Sequence, residues 1–242
     1  MKDSDGRTAL WYSMALLDEK HRECFEVLNQ IEEERKDYDL VQEIRKGCKC
    51  GGANDLFDAA QKGCCYCCWK HIDQAGKTRD DYKIPNWGTY SGVTALMVAA
   101  AYGKASVVRM LLGKEGGRHE TTYGYTAMMF AASNGHTECV RLLADKENGM
   151  KDKYGYTALM YAAWKGHLEC VKILAPLEKG MKDGGETALM KAAYNGHLEC
   201  VKILAPLEKG MKDNNGYTAK DWASWNNHND VVNYLNQFPE ED

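Results

Sequence analysis

Residues 157–183 read TALMYAAWKGHLECVKILAPLEKGMKD, and residues 187–213 repeat this stretch with 24 of 27 positions unchanged. The three differences are Tyr161 against Lys191, Trp164 against Tyr194 and Lys165 against Asn195. Two copies this similar, one directly after the other, indicate that each copy makes the same contacts with its neighbour. We therefore expect a stack of equivalent units.

A Gly-x-Thr-Ala signature marks the start of each unit. Its threonines lie 32, 31, 30 and 31 residues apart, at Thr94, Thr126, Thr157, Thr187 and Thr218. Two further copies keep only part of the pattern, one that opens at 6–10 and one at 54–72. A period of this length is typical of solenoids, so the sequence predicts about seven stacked repeats.

Each unit contains the pattern of two short helices. In the unit that begins at Thr157, a threonine at the N-cap is followed by apolar residues at helical spacing until Gly166. A second apolar series starts at Leu168, and we expect Pro176 to end it because a proline in a helix interior costs roughly 3 kcal/mol. Gly180 then supplies a reversal. Helices this short are marginal alone, so each must gain its stability by packing on neighbouring copies.

The pattern Gly-x-Thr-Ala-Leu-Met-x-Ala-Ala-x-x-Gly-His-Leu-Glu-Cys-Val-Lys-x-Leu resembles the ankyrin repeat, clearly over 92–238 and loosely over 6–72. The resemblance implies an all-α solenoid in which a hairpin loop precedes two antiparallel helices. The chain departs from the usual pattern at Ala158, where proline is common, at Met160, where histidine is common, and at Pro176, with its shortened loop. This variant resembles the ankyrin families expanded in diplomonad protists, some of which carry kinase domains.

The repeat pattern divides the chain into two predicted domains. Residues 1–91 form degenerate ankyrin-like repeats with an extended charged helix at 32–46 and a cysteine-rich insertion, and an inserted loop at 77–92 leads out of them. Residues 92–242 form regular repeats, and the asparagine-rich last unit has the polar composition of a capping repeat. The first residues of the chain match the sequence found at the boundary between two internal repeats. This is expected if translation begins within the array or if the chain is a fragment.

Aromatic residues concentrate where the copies differ. In ankyrin repeats the hairpin tips and the exposed face of the first helix vary, and the resemblance implies that partner choice resides there. These positions carry Tyr102 and the predicted partner-binding residues Tyr123, Tyr125, Phe130, Tyr154, Tyr156, Tyr161, Trp164, Tyr194, Tyr217, Trp222 and Trp225. Exposed tyrosine and tryptophan are typical of binding faces. The alternative is that the tyrosines brace neighbouring hairpins and that Trp222 supports the cap.

Histidine and cysteine recur three residues apart in successive repeats, as His136 with Cys139, His167 with Cys170, and His197 with Cys200. Packed helices lie about 8–10 Å apart, whereas zinc ligands must each come within about 2.0–2.3 Å of one ion. We therefore interpret these cysteines as small core residues and these histidines as hydrogen-bonding groups of the loops.

A denser cysteine cluster precedes the regular repeats. Alignment with the clear repeats places Cys65, Cys67 and Cys68 in the core. This leaves Cys48, Cys50, Cys64 and His71 as a possible four-ligand zinc site, with reduced thiols as the alternative. We expect no cofactor elsewhere.

Composition and motifs exclude several classes of function. The net charge of -4, with lysine and glutamate interspersed, argues against nucleic acid as a partner. No run of eighteen apolar residues and no signal peptide are found, and ten cysteines without a secretory signal indicate a reducing, cytoplasmic setting. The stretch at 71–78 ends like a phosphate-binding loop but lacks its first glycine, and no hydrolase, metalloprotease or dinucleotide motif occurs. We expect no enzyme activity.

The sequence thus predicts a non-catalytic scaffold or adaptor that binds a protein partner on its hairpin tips and first-helix face. One alternative is the regulatory or targeting segment of a larger ankyrin-coupled enzyme such as a kinase. A third interpretation, a zinc-stabilised N-terminal module with its own ligand, depends on Cys48, Cys50 and Cys64. The sequence leaves the oligomeric state open.

Overall fold

The structure is a computed structural model that describes residues 50–84 and 87–237. The first predicted repeat, the charged helix at 32–46 and Cys48 lie outside the described residues.

Six helix pairs follow one another in the described part of the chain. They are α1 (Leu56–Lys62) with α2 (Cys65–Lys70), α3 (Ala95–Ala101) with α4 (Ala105–Glu115), α5 (Ala127–Ser133) with α6 (Thr137–Glu147), α7 (Ala158–Lys165) with α8 (Leu168–Glu178), α9 (Ala188–Tyr194) with α10 (Leu198–Glu208), and α11 (Ala219–Trp225) with α12 (Asn229–Leu235). Each first helix packs on its own second helix and on the first helices before and after it. This arrangement is the stack that the period predicts.

Threonine is the N-cap of the first helix in each of the five regular repeats, as the sequence predicts. The hydroxyls of Thr94, Thr126 and Thr187 accept the backbone N–H three residues later, at 3.3, 3.4 and 3.5 Å. Thr157 occupies the same N-cap position without such a bond. Satisfying an N–H that has no partner inside the helix is what favours threonine here.

Glycine and histidine join one repeat to the next. Gly135 follows α5 with φ of 74°, a left-handed conformation that other residues rarely adopt. A Cβ atom on Gly135 would lie 2.7 Å from Nδ1 of His167 in the next repeat. His167 in turn donates from Nε2 to the carbonyl of Ser133 at 2.9 Å. The same kind of bond links three other repeats to the repeat before each of them, through His136, His197 and His228. The predicted hydrogen-bonding role of these histidines is confirmed.

Each second helix from α4 to α10 ends in a buried glutamate, and the four are Glu115, Glu147, Glu178 and Glu208. Oε2 of Glu178 accepts the N–H of Leu159 at the start of α7, at 2.7 Å. Oε1 accepts the N–H of Gly149 at the end of the preceding repeat, at 2.9 Å. The other three glutamates make the same two kinds of bond. Sequence reasoning missed these residues, although a Glu-x-Gly pattern ends each of these four units.

The prediction that Pro176 ends its helix is wrong. Helix α8 continues through Pro176 to Glu178, and α10 continues through Pro206 to Glu208. Proline removes only one hydrogen bond when it lies in the last turn of an 11-residue helix. The two helical residues after the proline bring the glutamate to its two N–H donors, and this long-range contact outweighs the local cost.

The inserted loop at 77–92 contains an antiparallel pair of strands, so the described structure is not purely helical. Strand β1 (Tyr82–Ile84) pairs with β2 (Gly88–Tyr90), with Tyr82 opposite Tyr90. Ile84 and Tyr90 are buried against the helical core. The insertion is therefore packed on the repeats that follow it.

Candidate functional site

The predicted aromatic residues form two clusters of rings in contact. The first aromatic cluster comprises Trp87, Tyr90, Tyr123, Tyr125, Phe130, Tyr154, Tyr156, Tyr161 and Trp164. The second comprises Tyr194, Tyr217, Trp222 and Trp225. Ring centroids within each cluster are 4.6–6.4 Å apart, the range for favourable aromatic pairs.

Two of the predicted binding residues are not exposed, which corrects the sequence interpretation. Phe130 is 0% and Tyr161 5% accessible to solvent. The indole of Trp87, at the turn of the β1–β2 hairpin, covers them both, with ring centroids 4.8 Å from Phe130 and 5.4 Å from Tyr161. These two rings therefore brace the stack, as the alternative interpretation has it. Sequence reasoning missed Trp87 and Tyr90 because they lie outside the repeat.

Tyr161 also ties the first helix of its repeat to the hairpin loop. Its hydroxyl donates to Oδ2 of Asp152 at 2.7 Å, while Oδ1 of Asp152 accepts the N–H groups of Tyr154 and Tyr156 at 2.9 Å each. Burial raises the pKa of Tyr161 far above its usual value, and the bond to Asp152 acts in the same direction. The hydroxyl stays protonated and holds the loop in one conformation.

Three rings of the first aromatic cluster remain available to a partner. Tyr123 is 38%, Tyr154 58% and Trp164 40% exposed. The rings of Tyr123 and Tyr154 stack at 6.0 Å, and Trp164 stacks on buried Tyr161 at 6.4 Å. Trp164 is therefore supported by a buried ring, and Tyr123 contacts buried Tyr90, whereas Tyr154 stacks on exposed Tyr123.

The second aromatic cluster contains one ring that supports the last repeat and three rings that are exposed to solvent. Trp222 is half-buried and its indole N–H donates to Oδ2 of Asp213 at 3.3 Å, so it supports the last repeat. Tyr194, Tyr217 and Trp225 are 43%, 42% and 55% exposed. Both interpretations of the aromatic residues thus apply here, each to different side chains.

A charged group separates the two clusters. Lys191 takes the place that Tyr161 has in the preceding repeat, and its Nζ lies 4.3 Å from the ring centroid of Tyr156 and donates to that hydroxyl at 2.7 Å. Its ammonium also pairs with Glu186 and lies 3.9 Å from Asp183. Burial disfavours the charge, but the bonds to Glu186 and Tyr156 outweigh it and raise the pKa of Lys191.

A groove opens between the hairpin and the first helices of the next repeats. It has a volume of about 400 Å³. Its walls are Trp87, Tyr90, Tyr125 and Trp164, and Asn134 and Lys165 add polar groups. Nζ of Lys165 lies 5.4 Å from the Trp164 ring. Aromatic walls with a few polar groups suit an apolar or aromatic side chain of a protein partner.

The cysteine cluster differs from the predicted set. The Sγ atoms of Cys50, Cys64 and Cys67 lie within 4.8 Å of one another. His71 lies elsewhere, with its Nε2 3.2 Å from the carbonyl of Ala53. Cys67, assigned by alignment to the core alone, is buried and also joins the cluster. The Cys64-x-x-Cys67 spacing, which places both residues at the start of α2, was the signal that could have found it.

The cysteines of the regular repeats are core residues, as predicted. Cys139, Cys170 and Cys200 are at most 1% exposed. Burial raises the pKa of Cys139 to about 12 and that of Cys200 to about 11, so both thiols are protonated at neutral pH. Cys65 and Cys68 are buried in the same way in the first described pair.

The succession of helix pairs and hairpin loops defines a helical repeat protein. The family described as Ankyrin repeats (3 copies) matches residues 96–184 and 176–240, which together span more than half of the 242 residues. The chain therefore belongs to the ankyrin-repeat family, whose members are generally protein-interaction modules. Among curated proteins, none matches the chain significantly. Within the described residues, no helix has the length and apolar character needed to cross a membrane.

Proposed function

We propose that this protein is a non-catalytic scaffold or adaptor whose exposed aromatic face binds a protein partner. The binding face comprises Tyr123, Tyr154 and Trp164 with the adjoining groove. The observation that carries the proposal is that these three rings stay 38–58% exposed although their cluster also contains the buried rings of Tyr90, Phe130 and Tyr161. Exposed tyrosine and tryptophan leave apolar area in water unless a partner covers it.

The support beneath these rings favours binding. Trp164 rests on Tyr161, and Tyr161 is fixed by its bond to Asp152. A side chain that is already held in place loses little conformational entropy when a partner covers it. A few such anchors can therefore carry most of the binding free energy.

We also propose that no reaction is catalysed by the described residues. The regular-repeat histidines each use Nε2 for a backbone carbonyl of the preceding repeat. Burial lowers the pKa of His136, which favours its neutral form, and raises the pKa values of the core thiols, which disfavours the nucleophilic thiolate. These groups are committed to structure.

The test compares the double variant Tyr154→Ala/Trp164→Ala with the matched control Leu177→Ala/Leu207→Ala, which removes two apolar side chains that are 48% and 40% exposed on second helices. Proteins captured by the wild type, the face variant and the control are quantified by mass spectrometry, and binding of the captured protein is then titrated. We expect the face variant alone to lose about tenfold or more in affinity. Equal affinity for all three proteins would contradict the proposal.

The choice of variant follows from burial. Replacing Tyr161 would remove a buried ring and a hydrogen bond to Asp152, so a loss of binding could reflect local unfolding. Tyr154 and Trp164 avoid this problem, and circular dichroism of all three proteins checks that the stack is intact.

A further inference from the structure

Three cysteines from two separate segments converge beside the first described helix pair. Cys50 precedes α1, Cys64 is the N-cap of α2, and Cys67 lies in the first turn of α2. Gly63 between the helices has φ of 72°, and this left-handed turn directs the chain from α1 into α2. The fold thus brings together residues that are 14 and 17 positions apart.

The distances among the sulfur atoms fit a shared metal ion. Sγ of Cys50 and Sγ of Cys67 are 3.6 Å apart, and all three sulfurs lie within 4.8 Å of one another. Zinc–sulfur bonds are about 2.3 Å long, so tetrahedral geometry separates two sulfur ligands by roughly 3.8 Å. A disulfide would require about 2.0 Å. Small movements of the three side chains would bring the sulfurs to zinc geometry.

We propose that Cys50, Cys64 and Cys67 bind one zinc ion as thiolates. Three S–H groups would release their protons and three zinc–sulfur bonds would form, with a fourth position left for another ligand. The three sulfurs are a soft donor set that suits zinc, whereas calcium and magnesium prefer oxygen ligands.

The charge around the cluster is compatible with this site. Three thiolates and one Zn²⁺ carry a net charge of -1. Nζ of Lys62 donates to the carbonyl of Gly52 at 2.8 Å, two residues from Cys50, and it also pairs with Asp58 at 3.0 Å, so the lysine lies near the cluster with part of its charge balanced by that carboxylate. The ion would join the segment before α1 to the start of α2 and so stabilise the first described pair.

The first experiment measures metal content. The full chain is purified without chelator and with a phosphine reductant, and its zinc content is measured by inductively coupled plasma mass spectrometry. We expect about one zinc per chain in the wild type and in the control Cys139→Ala, which changes a buried thiol remote from the cluster. In Cys50→Ser and Cys67→Ser we expect less than about a tenth as much.

A second experiment works on the wild type alone, so that it does not depend on the folding of the variants. The reduced, metal-free chain is titrated with Co²⁺, and the spectrum is recorded. We expect thiolate-to-cobalt charge-transfer absorption and the intense ligand-field bands of tetrahedral cobalt, both abolished by one equivalent of Zn²⁺. A wild type without stoichiometric zinc and without these bands would overturn the proposal, as would equal zinc content in Cys50→Ser and the wild type.

Discussion

Among single residues, the glutamates that end the second helices connect the repeats most directly. Each carboxylate is buried and accepts two backbone N–H groups, one from its own repeat and one from the preceding repeat. Burial raises the pKa values of Glu147 and Glu178 above 4.5, so the charged form is disfavoured relative to water. The residue recurs in four of the six described pairs because its two oxygens match two N–H donors.

Glu178→Gln tests whether both carboxylate oxygens of Glu178 are needed to accept the two backbone N–H groups. Glutamine has one carbonyl oxygen, and its amide N–H₂ would face the second backbone N–H. We expect the free energy of unfolding to fall by about 1–3 kcal/mol, because a buried N–H loses its acceptor. The control is Glu169→Gln on the exposed side of the same helix, where the side chain is 63% exposed and forms a surface ion pair with Lys172. Urea denaturation gives both values, and equal losses would contradict the assignment.

The wild type and Glu178→Gln also test the direction of the pKa shift of Glu178. Because the folded pKa of Glu178 is raised, the native state binds more protons than the unfolded state between pH 4.5 and that raised pKa. The contribution of this group to stability therefore grows as the pH falls through the window. We expect the difference in unfolding free energy between wild type and Glu178→Gln to increase from pH 7 to pH 5. A decrease would mean that the pKa is lowered.

At the scale of elements, the β1–β2 hairpin decides which aromatic residues are exposed. It lies outside the repeat pattern, yet its Trp87 reaches Tyr125, Phe130 and Tyr161 in the next two repeats. The hairpin thus buries Phe130 and Tyr161, two aromatic residues that the sequence predicts to be exposed. It also forms one wall of the groove.

Trp87→Ala measures this covering role. We expect a loss of about 1–3 kcal/mol in unfolding free energy, because three aromatic contacts disappear and Phe130 gains contact with water. The matched control is Tyr154→Ala, whose ring is 58% exposed and lies at the edge of the same cluster. Increased binding of a hydrophobic dye to Trp87→Ala, but not to Tyr154→Ala, would support the assignment. A stability equal to that of Tyr154→Ala would refute it.

In the whole molecule, stability comes from contacts between neighbouring repeats. First helices pack on first helices, and histidine and glutamate bonds cross each joint. The nearly identical stretches at 157–183 and 187–213 therefore make similar contacts. The positions that vary carry the exposed rings, such as Tyr154 and Trp164, for which we propose partner binding.

The amino-acid sequence alone determined the repeat period, the helix pairs, the threonine caps and the core positions of the regular cysteines. These features depend on short-range spacing that recurs in every unit, so each copy supports the prediction made from the others. The order of the helices in the stack follows for the same reason.

Only the tertiary structure decided that Phe130 and Tyr161 are covered, that α8 runs past Pro176, and that Cys67 joins Cys50. Each of these results depends on a contact between segments far apart in sequence: a hairpin over two repeats, a carboxylate on a distant N–H, and a loop beside a helix start. The hairpin and cysteine contacts each occur once, so they leave no periodic signal in the sequence. The glutamate does recur at the ends of four second helices, but its spacing does not reveal which backbone N–H groups it accepts, because those groups belong to segments brought together by the stacking of repeats.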